Sequence, residues 1–212
     1  MTVQPWFPTP IYIDHLEGEE LAAAQAELMA MFQAQRLGMA RRNSLNESGT
    51  HQLTDPNFRC NVLEQYACGQ FRHSLMRRVH SYLTQLGIDA AYWASELAVV
   101  NSWATLTERG ESAYVHDHGN TDISGVYYIQ TTGEDGDIWF KTPNEVQSHS
   151  YLFQHIPNSQ SVKPHVGQLI LWPGYMWHGT HINRTDHPRV SVSFNIQARR
   201  WYQDRLFPQK NT

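Results

Sequence analysis

The stretch AYVHDHGNTDISGVYYIQ, residues 113–130, sets His116 and His118 one residue apart at the entry to a run that alternates like a strand. In an extended chain residues i and i+2 share a face, so both imidazoles project together while Asp117 points away. Such a pair can clamp a metal ion, or it can be two ordinary surface histidines. A distant third donor tips the balance: His178 follows a Pro-Gly turn in LILWPGYMWHGTHINRTDHPRVSVSFNI, at the end of an apolar strand. Two neighbouring donors plus a remote third have the layout of a facial triad, which holds Fe(II) and leaves coordination positions open for chemistry.

Other donors compete on paper. His181 lies three residues after His178, and Asp117 and Asp122 are the nearest carboxylates to the His pair. Further along, PRVSVSFNI alternates strictly: Arg189, Ser191, Ser193 and Asn195 on one face, Val190, Val192, Phe194 and Ile196 on the other. A polar stripe led by Arg is out of place inside a β-protein unless it lines a site. On the strand after the His pair, Ser124, Val126 and Tyr128 share one face, and Gly125 allows close strand packing on the other. Trp103, Trp172 and Trp177 read as core filling, and His149, His155 and His165 fall in a loop-rich segment, 141–166.

The elements that must carry these groups change character along the chain. Residues 5–14 (PWFPTPIYID) read as a Pro-blunted edge strand. Leu21, Ala24, Leu28 and Phe32 recur at helical spacing over 18–35, and Phe71, Leu75, Val79 and Leu83 do so over 64–86, where Gly87 supplies a stop. Residues 38–62, between them, read as a long packed loop. Beyond Gly87 the pattern is strand-like at 96–106, 113–118, 123–130, 136–140, 150–154, 167–172, 178–183 and 188–197. Short strands at that spacing predict a mainly β chain, a barrel or jelly roll buttressed by two helices of the N-terminal half. The predicted organisation is one domain over 1–212, with the β core at 96–197 and 1–95 as helical and loop support.

Composition excludes several classes. A net charge of −4, with no basic cluster beyond Arg41-Arg42, Arg77-Arg78 and Arg199-Arg200, gives no nucleic-acid footprint. No apolar run approaches the roughly 18 residues that cross a bilayer, and MTVQPWFPTPIYID lacks the basic and apolar parts of a signal peptide. Two cysteines, Cys60 and Cys68, form neither a metal knuckle nor a disulfide scaffold. The expected location is therefore the cytoplasm, and a homodimer through the helices is compatible with this layout.

These motifs together resemble the Fe(II)- and 2-oxoglutarate-dependent oxygenases, particularly their prolyl-hydroxylase-like branch and its small bacterial and phage members. The resemblance covers about residues 96–197. HDHGNTDISGVYYI stands where that family has its first two ligands, GDIWF where it has a Gly-led strand ending in an aromatic, and WPGYMWHGTHINRTDHPRVSVSFNI where it has the distal His and the cosubstrate Arg.

The resemblance implies a double-stranded β-helix, a jelly roll of cupin type, and hydroxylation of a small molecule or peptide with succinate and CO₂ as co-products. It implies His116, His118 and His178 as metal ligands, and Arg189, Ser193 and Tyr128 as the grip on 2-oxoglutarate. An Arg guanidinium suits that task because its fork matches a carboxylate. His118 departs from the family, which mostly has Asp or Glu there; three neutral imidazoles leave the charge of a ferrous ion uncompensated by protein. The competing reading is a metal-binding cupin-like protein for sensing or storage, without turnover.

Overall fold

The computed structural model describes residues 8–38, 43–44, 51–52, 61–144 and 149–199. Ten strands are described: β1 Tyr12–His15, β2 Asn43–Ser44, β3 His51–Gln52, β4 Leu97–Thr107, β5 Ile123–Gln130, β6 Ile138–Lys141, β7 Ser159–Val162, β8 Gln168–Pro173, β9 His178–Thr180 and β10 Arg189–Ala198. The helices are α1 Gly18–Gly38, α2 Val62–Gln65, α3 Gly69–Gln85 and α4 Ala90–Trp93. A seven-stranded sheet runs in the order β1-β8-β5-β10-β4-β3-β2, and a smaller sheet runs β7-β6-β9. All of the strand pairs are antiparallel. This is the double-stranded β-helix that the resemblance implies.

Strands β5 and β8 of the large sheet split their apolar residues between two cores. Tyr127 and Ile129 of β5, with Val190, Val192, Phe194 and Ile196 of β10, pack with Leu28 of α1 and Phe71 and Leu75 of α3. The Phe71 ring lies 4.9 Å from that of Tyr127. Full burial of each such side chain contributes about 1.5–3 kcal/mol, which fixes the helices as a backing layer. On the opposite face Val126, Tyr128, Ile170 and Trp172 meet Ile138 and Phe140 of the small sheet. The candidate site opens between the two sheets, beside this second core. At Gly125 a Cβ would collide with the Phe194 ring and reach 2.8 Å from Leu171 Cδ2, so glycine is what lets β5 sit against its neighbours.

A bulge in β4 determines which residues face the site. Asn195 pairs with Asn101 but Ile196 with Val99, so Val100 is the extra residue. The alternation changes phase there: Leu97 and Val99 join the helix-side core, whereas Asn101, Trp103, Thr105 and Thr107 line the cavity.

Some predicted elements take a different form. The second helix is broken into α2 and α3, because the free amides of Gln70 and Phe71 are met by the Glu27 carboxylate of α1 at 3.0 and 2.9 Å, and α3 begins there. Residues 113–118 make only one bridge, His116 to His178, since Asp117 Oδ1 takes the Gly119 amide at 2.7 Å and turns the chain. Residues 150–154 form no strand: Tyr151 and Leu152 stay exposed and a short 3₁₀ turn follows at Phe153–His155. Strands β2, β3 and β7 and helix α4 were not expected. Of the 5–14 segment only 12–14 is strand, which β1 extends to His15; residues 5–7 lie outside the described residues, and most of 38–62 does so as well.

β1, α1 and α3 are tied together by Arg78, whose Nε is 2.8 Å from Asp14 and whose Nη1 is 2.8 Å from Glu20. No described helix is long and apolar enough to cross a membrane.

Candidate active site

His178 opens β9, and its backbone exchanges two 2.9 Å hydrogen bonds with His116 in the loop before β5. The amide of His118 donates to Gly174 O of the Pro-Gly turn at 3.0 Å. These straps bring distant parts of the chain together, so that the ligating atoms of His116, His118 and His178 all lie within 4.8 Å of one another.

The tautomers suit coordination. Nδ1 of His116 lies 2.8 Å from Tyr114 O, and Nδ1 of His178 lies 2.9 Å from Met176 O. A carbonyl only accepts, so each Nδ1 carries the proton and each Nε2 keeps its lone pair. His118 Nε2 faces His178 Nε2 at 3.3 Å; with His178 Nε2 unprotonated, that approach calls for a cation or a shared proton. Burial lowers the pKa of His116, and that of His178 well below its ordinary value. Burial, reinforced by His116, pulls His118 down to about 3. All three rings are thus neutral donors at pH 7, a set competent for Fe(II).

Trp103 stacks on His118 with centroids 5.7 Å apart and planes 18° from parallel, and Trp172 meets His178 edge-on at 4.8 Å. Both indoles line the cavity and lock the rings that surround it.

From the histidines a cavity of about 470 Å³ runs between the sheets to Arg189. Arg189 is 3% exposed. Its Nη1 donates to Asp135 O at 3.0 Å and to Gly136 O, and its Nη2 approaches Thr107 Oγ1 at 3.4 Å. The Asp135 carboxylate accepts from Thr131 Oγ1 at 2.6 Å and Thr132 N at 2.7 Å, which folds the TTGEDG turn so that its carbonyls present themselves to Arg189. Metal donors and a buried guanidinium therefore share one chamber.

Residues 101–195, the segment that builds this chamber, match the family model described as "Putative 2OG-Fe(II) oxygenase". Over that segment the chain is similar to the 2OG-Fe(II) oxygenases. No curated protein matches the sequence significantly. Solved structures agree on the fold. A prolyl hydroxylase in complex with a hypoxia inducible factor oxygen degradation domain peptide fragment from Trichoplax adhaerens superposes with a TM-score of 0.61 at 12% identity, over 94% of this chain and 87% of that one. The epimerase SnoN of nogalamycin biosynthesis, in complex with Fe3+, alpha ketoglutarate and nogalamycin RO, gives 0.60 at 15% identity, over 90% and 79%. A Pseudomonas putida prolyl-4-hydroxylase gives 0.56 at 12%, over 89% and 93%.

Within this fold the other expected residues separate clearly. Tyr128 is buried beside Arg189; burial pushes its hydroxyl up to about 12, against the pull of the Arg189 charge. Ser193 lines the cavity in the rung of Trp103 and Val126, while Ser191 stands one alternation nearer Arg189, paired with Thr105 and Tyr128. Thr107, Ser191 and the two carbonyls at 135–136 were not singled out from the sequence. The strict alternation already contained Ser191, but the others depend on cross-strand pairing.

The competing donors are engaged elsewhere. Asp117 holds the Gly119 amide, and Asp122 Oδ2 accepts from Ala198 N at 2.8 Å. His181 Nε2 lies 3.2 Å from Ser161 Oγ on the exposed side of β9. His155 and His165 are exposed, as is Trp177. Among the described residues, the three histidines alone make a cluster of metal-ligating side chains.

Proposed function

We propose that this chain hydroxylates a C–H bond of a small molecule or peptide, using Fe(II) held by His116, His118 and His178 and 2-oxoglutarate held by Arg189. The observation that carries the proposal is the shared chamber: three imidazoles whose ligating atoms converge within 4.8 Å at one end and a buried guanidinium at the other. When bound, the iron and the keto acid supply the oxidising chemistry, with one oxygen of O₂ going to the substrate and the other to succinate as CO₂ is lost. The protein's part is to bind, orient and exclude water.

Arg189 is fitted to orient the cosubstrate. Carbonyls and a hydroxyl fix its fork without neutralising it, so its charge remains for the distal carboxylate. Tyr128, kept protonated by burial, is a hydrogen-bond donor to the same group. Ser191 supports the reading as the serine nearest that end, with Ser193 further towards the histidines. Tyr114, half exposed and packed at 5.1 Å on His116, stands at the mouth where substrate enters. Cys68 is a free thiol, which fits a reducing cytoplasm where iron stays ferrous.

The test is anaerobic addition of Fe(II) and then 2-oxoglutarate to metal-stripped protein, watching for the weak visible charge-transfer band of a chelated keto acid, followed by a succinate assay in air. A band that disappears in His178→Ala and Arg189→Ala supports the proposal. The absence of any carboxylate from the cluster of described ligands favours, as a second reading, a metal-binding protein without turnover; tight metal binding with no band would establish it.

A further inference from the structure

We infer that His118 makes metal retention conditional on the cosubstrate: the chain holds Fe(II) weakly by itself and firmly only together with 2-oxoglutarate. This rests on the oxygenase reading above and deepens it.

The balance of charge in the chamber decides the matter. Three neutral imidazoles do nothing to offset a divalent ion, and the two carboxylates nearest them in sequence, Asp117 and Asp122, are bonded to backbone amides outside the ligand cluster. At the far end Arg189 adds a positive charge held by neutral partners, and the neighbouring Asp135 carboxylate is bonded by Thr131 and Thr132. A metal ion entering alone therefore adds two positive charges to a largely buried space where, among the described residues, no carboxylate joins the ligand cluster, and uncompensated charge in such a space is costly. The dianionic 2-oxoglutarate supplies two negative charges to the same chamber. A carboxylate at position 118 would supply one in advance and uncouple the two events.

The imidazole at 118 is built in. It stacks on Trp103 and lies against Asn195, whose Oδ1 accepts from Ser124 Oγ at 2.8 Å. Its backbone is strapped to Gly174. A shorter carboxylate would lose both the stack and the amide contact, so the surroundings are fitted to a neutral ring.

The experiment is anaerobic calorimetric titration of Fe(II) into metal-stripped wild type, His118→Asp and His118→Gln, each with and without saturating 2-oxoglutarate, with circular dichroism to check folding. Wild type and His118→Gln are expected to tighten for iron by about 100-fold when 2-oxoglutarate is present, and His118→Asp by about tenfold or less. Linkage requires the same factor for 2-oxoglutarate when iron is added. Equal tightening in wild type and His118→Asp overturns the inference. Should His118→Asp not fold, a wild-type iron affinity that changes by less than about tenfold overturns it alone. Failure of 2-oxoglutarate to bind even with iron present would instead remove the oxygenase reading.

Discussion

His118 Nε2 stands 3.3 Å from His178 Nε2 across 60 residues of chain. The His178 proton is committed to Met176 O on the far side of the ring, so the two nitrogens converge on a point suited to a cation. His178→Ala should therefore weaken Fe(II) binding by more than the roughly 10–100-fold that loss of a supporting partner of a ligand costs. Metal-free His178→Ala should melt close to the metal-free wild type, and added metal should no longer raise its melting temperature. A metal-induced shift equal to that of wild type would contradict the ligand assignment.

Arg189→Ala should separate the two ends of the chamber. Hydrogen bonds to charged groups contribute about 1.5–3 kcal/mol each, so 2-oxoglutarate affinity should fall by roughly 10–150-fold or more. Iron binding measured without cosubstrate should persist. Arg189→Lys should recover little, because an ammonium cannot reproduce the planar fork held by Asp135 O, Gly136 O and Thr107. Equilibrium binding of 2-oxoglutarate in the presence of iron measures both.

Part of this arrangement is legible in the sequence. PRVSVSFNI alternates without interruption, and β10 places Arg189, Ser191, Ser193 and Asn195 on the cavity and Val190, Val192, Phe194 and Ile196 in the helix-side core as that period requires. The ELAVVNSWATL run gives no such answer, because the bulge at Val100 reverses its faces and a bulge has no period. Spacing alone brings His116 and His118 together, yet an Asx turn and a bridge to β9 produce their convergence rather than a regular strand. The Arg189 bracket comes from residues 53, 54 and 82 positions away, and the start of α3 from a carboxylate on α1. Contacts of that range leave no trace in local pattern.

Gly136→Ala should damage both stability and cosubstrate binding. Gly136 has φ +100°, a region that side chains rarely adopt, and a Cβ there would run into the His181 carbonyl. Backbone strain of this kind costs about 1–3 kcal/mol. Because the Gly136 carbonyl is an acceptor for Arg189, the distortion should also raise the Kd for 2-oxoglutarate. A variant with lowered melting temperature and unchanged 2-oxoglutarate affinity would show that this carbonyl does not position the guanidinium.

Acid should destabilise the metal-free protein in a window set by the histidines. In the unfolded chain His118 titrates near 6.5, but in the fold burial and the neighbouring His116 hold it near 3. Between those values the unfolded state binds a proton that the folded state does not, so stability is fully present above about 6.5 and declines as pH falls towards 3. The slope approaches about 1.4 kcal/mol per pH unit for each histidine so held. His116 and His178 shift in the same direction and steepen the decline. Glu20, drawn down to about 2 chiefly by its hydrogen bond to Arg78, adds a second loss as pH falls below its unfolded value of 4.5. Denaturant titrations of metal-free wild type and His118→Gln at pH 7.5, 6.5, 5.5 and 4.5 separate these contributions. His118→Gln should show a shallower decline between 6.5 and 4.5, and identical curves for the two proteins would refute the assignment of that window to His118.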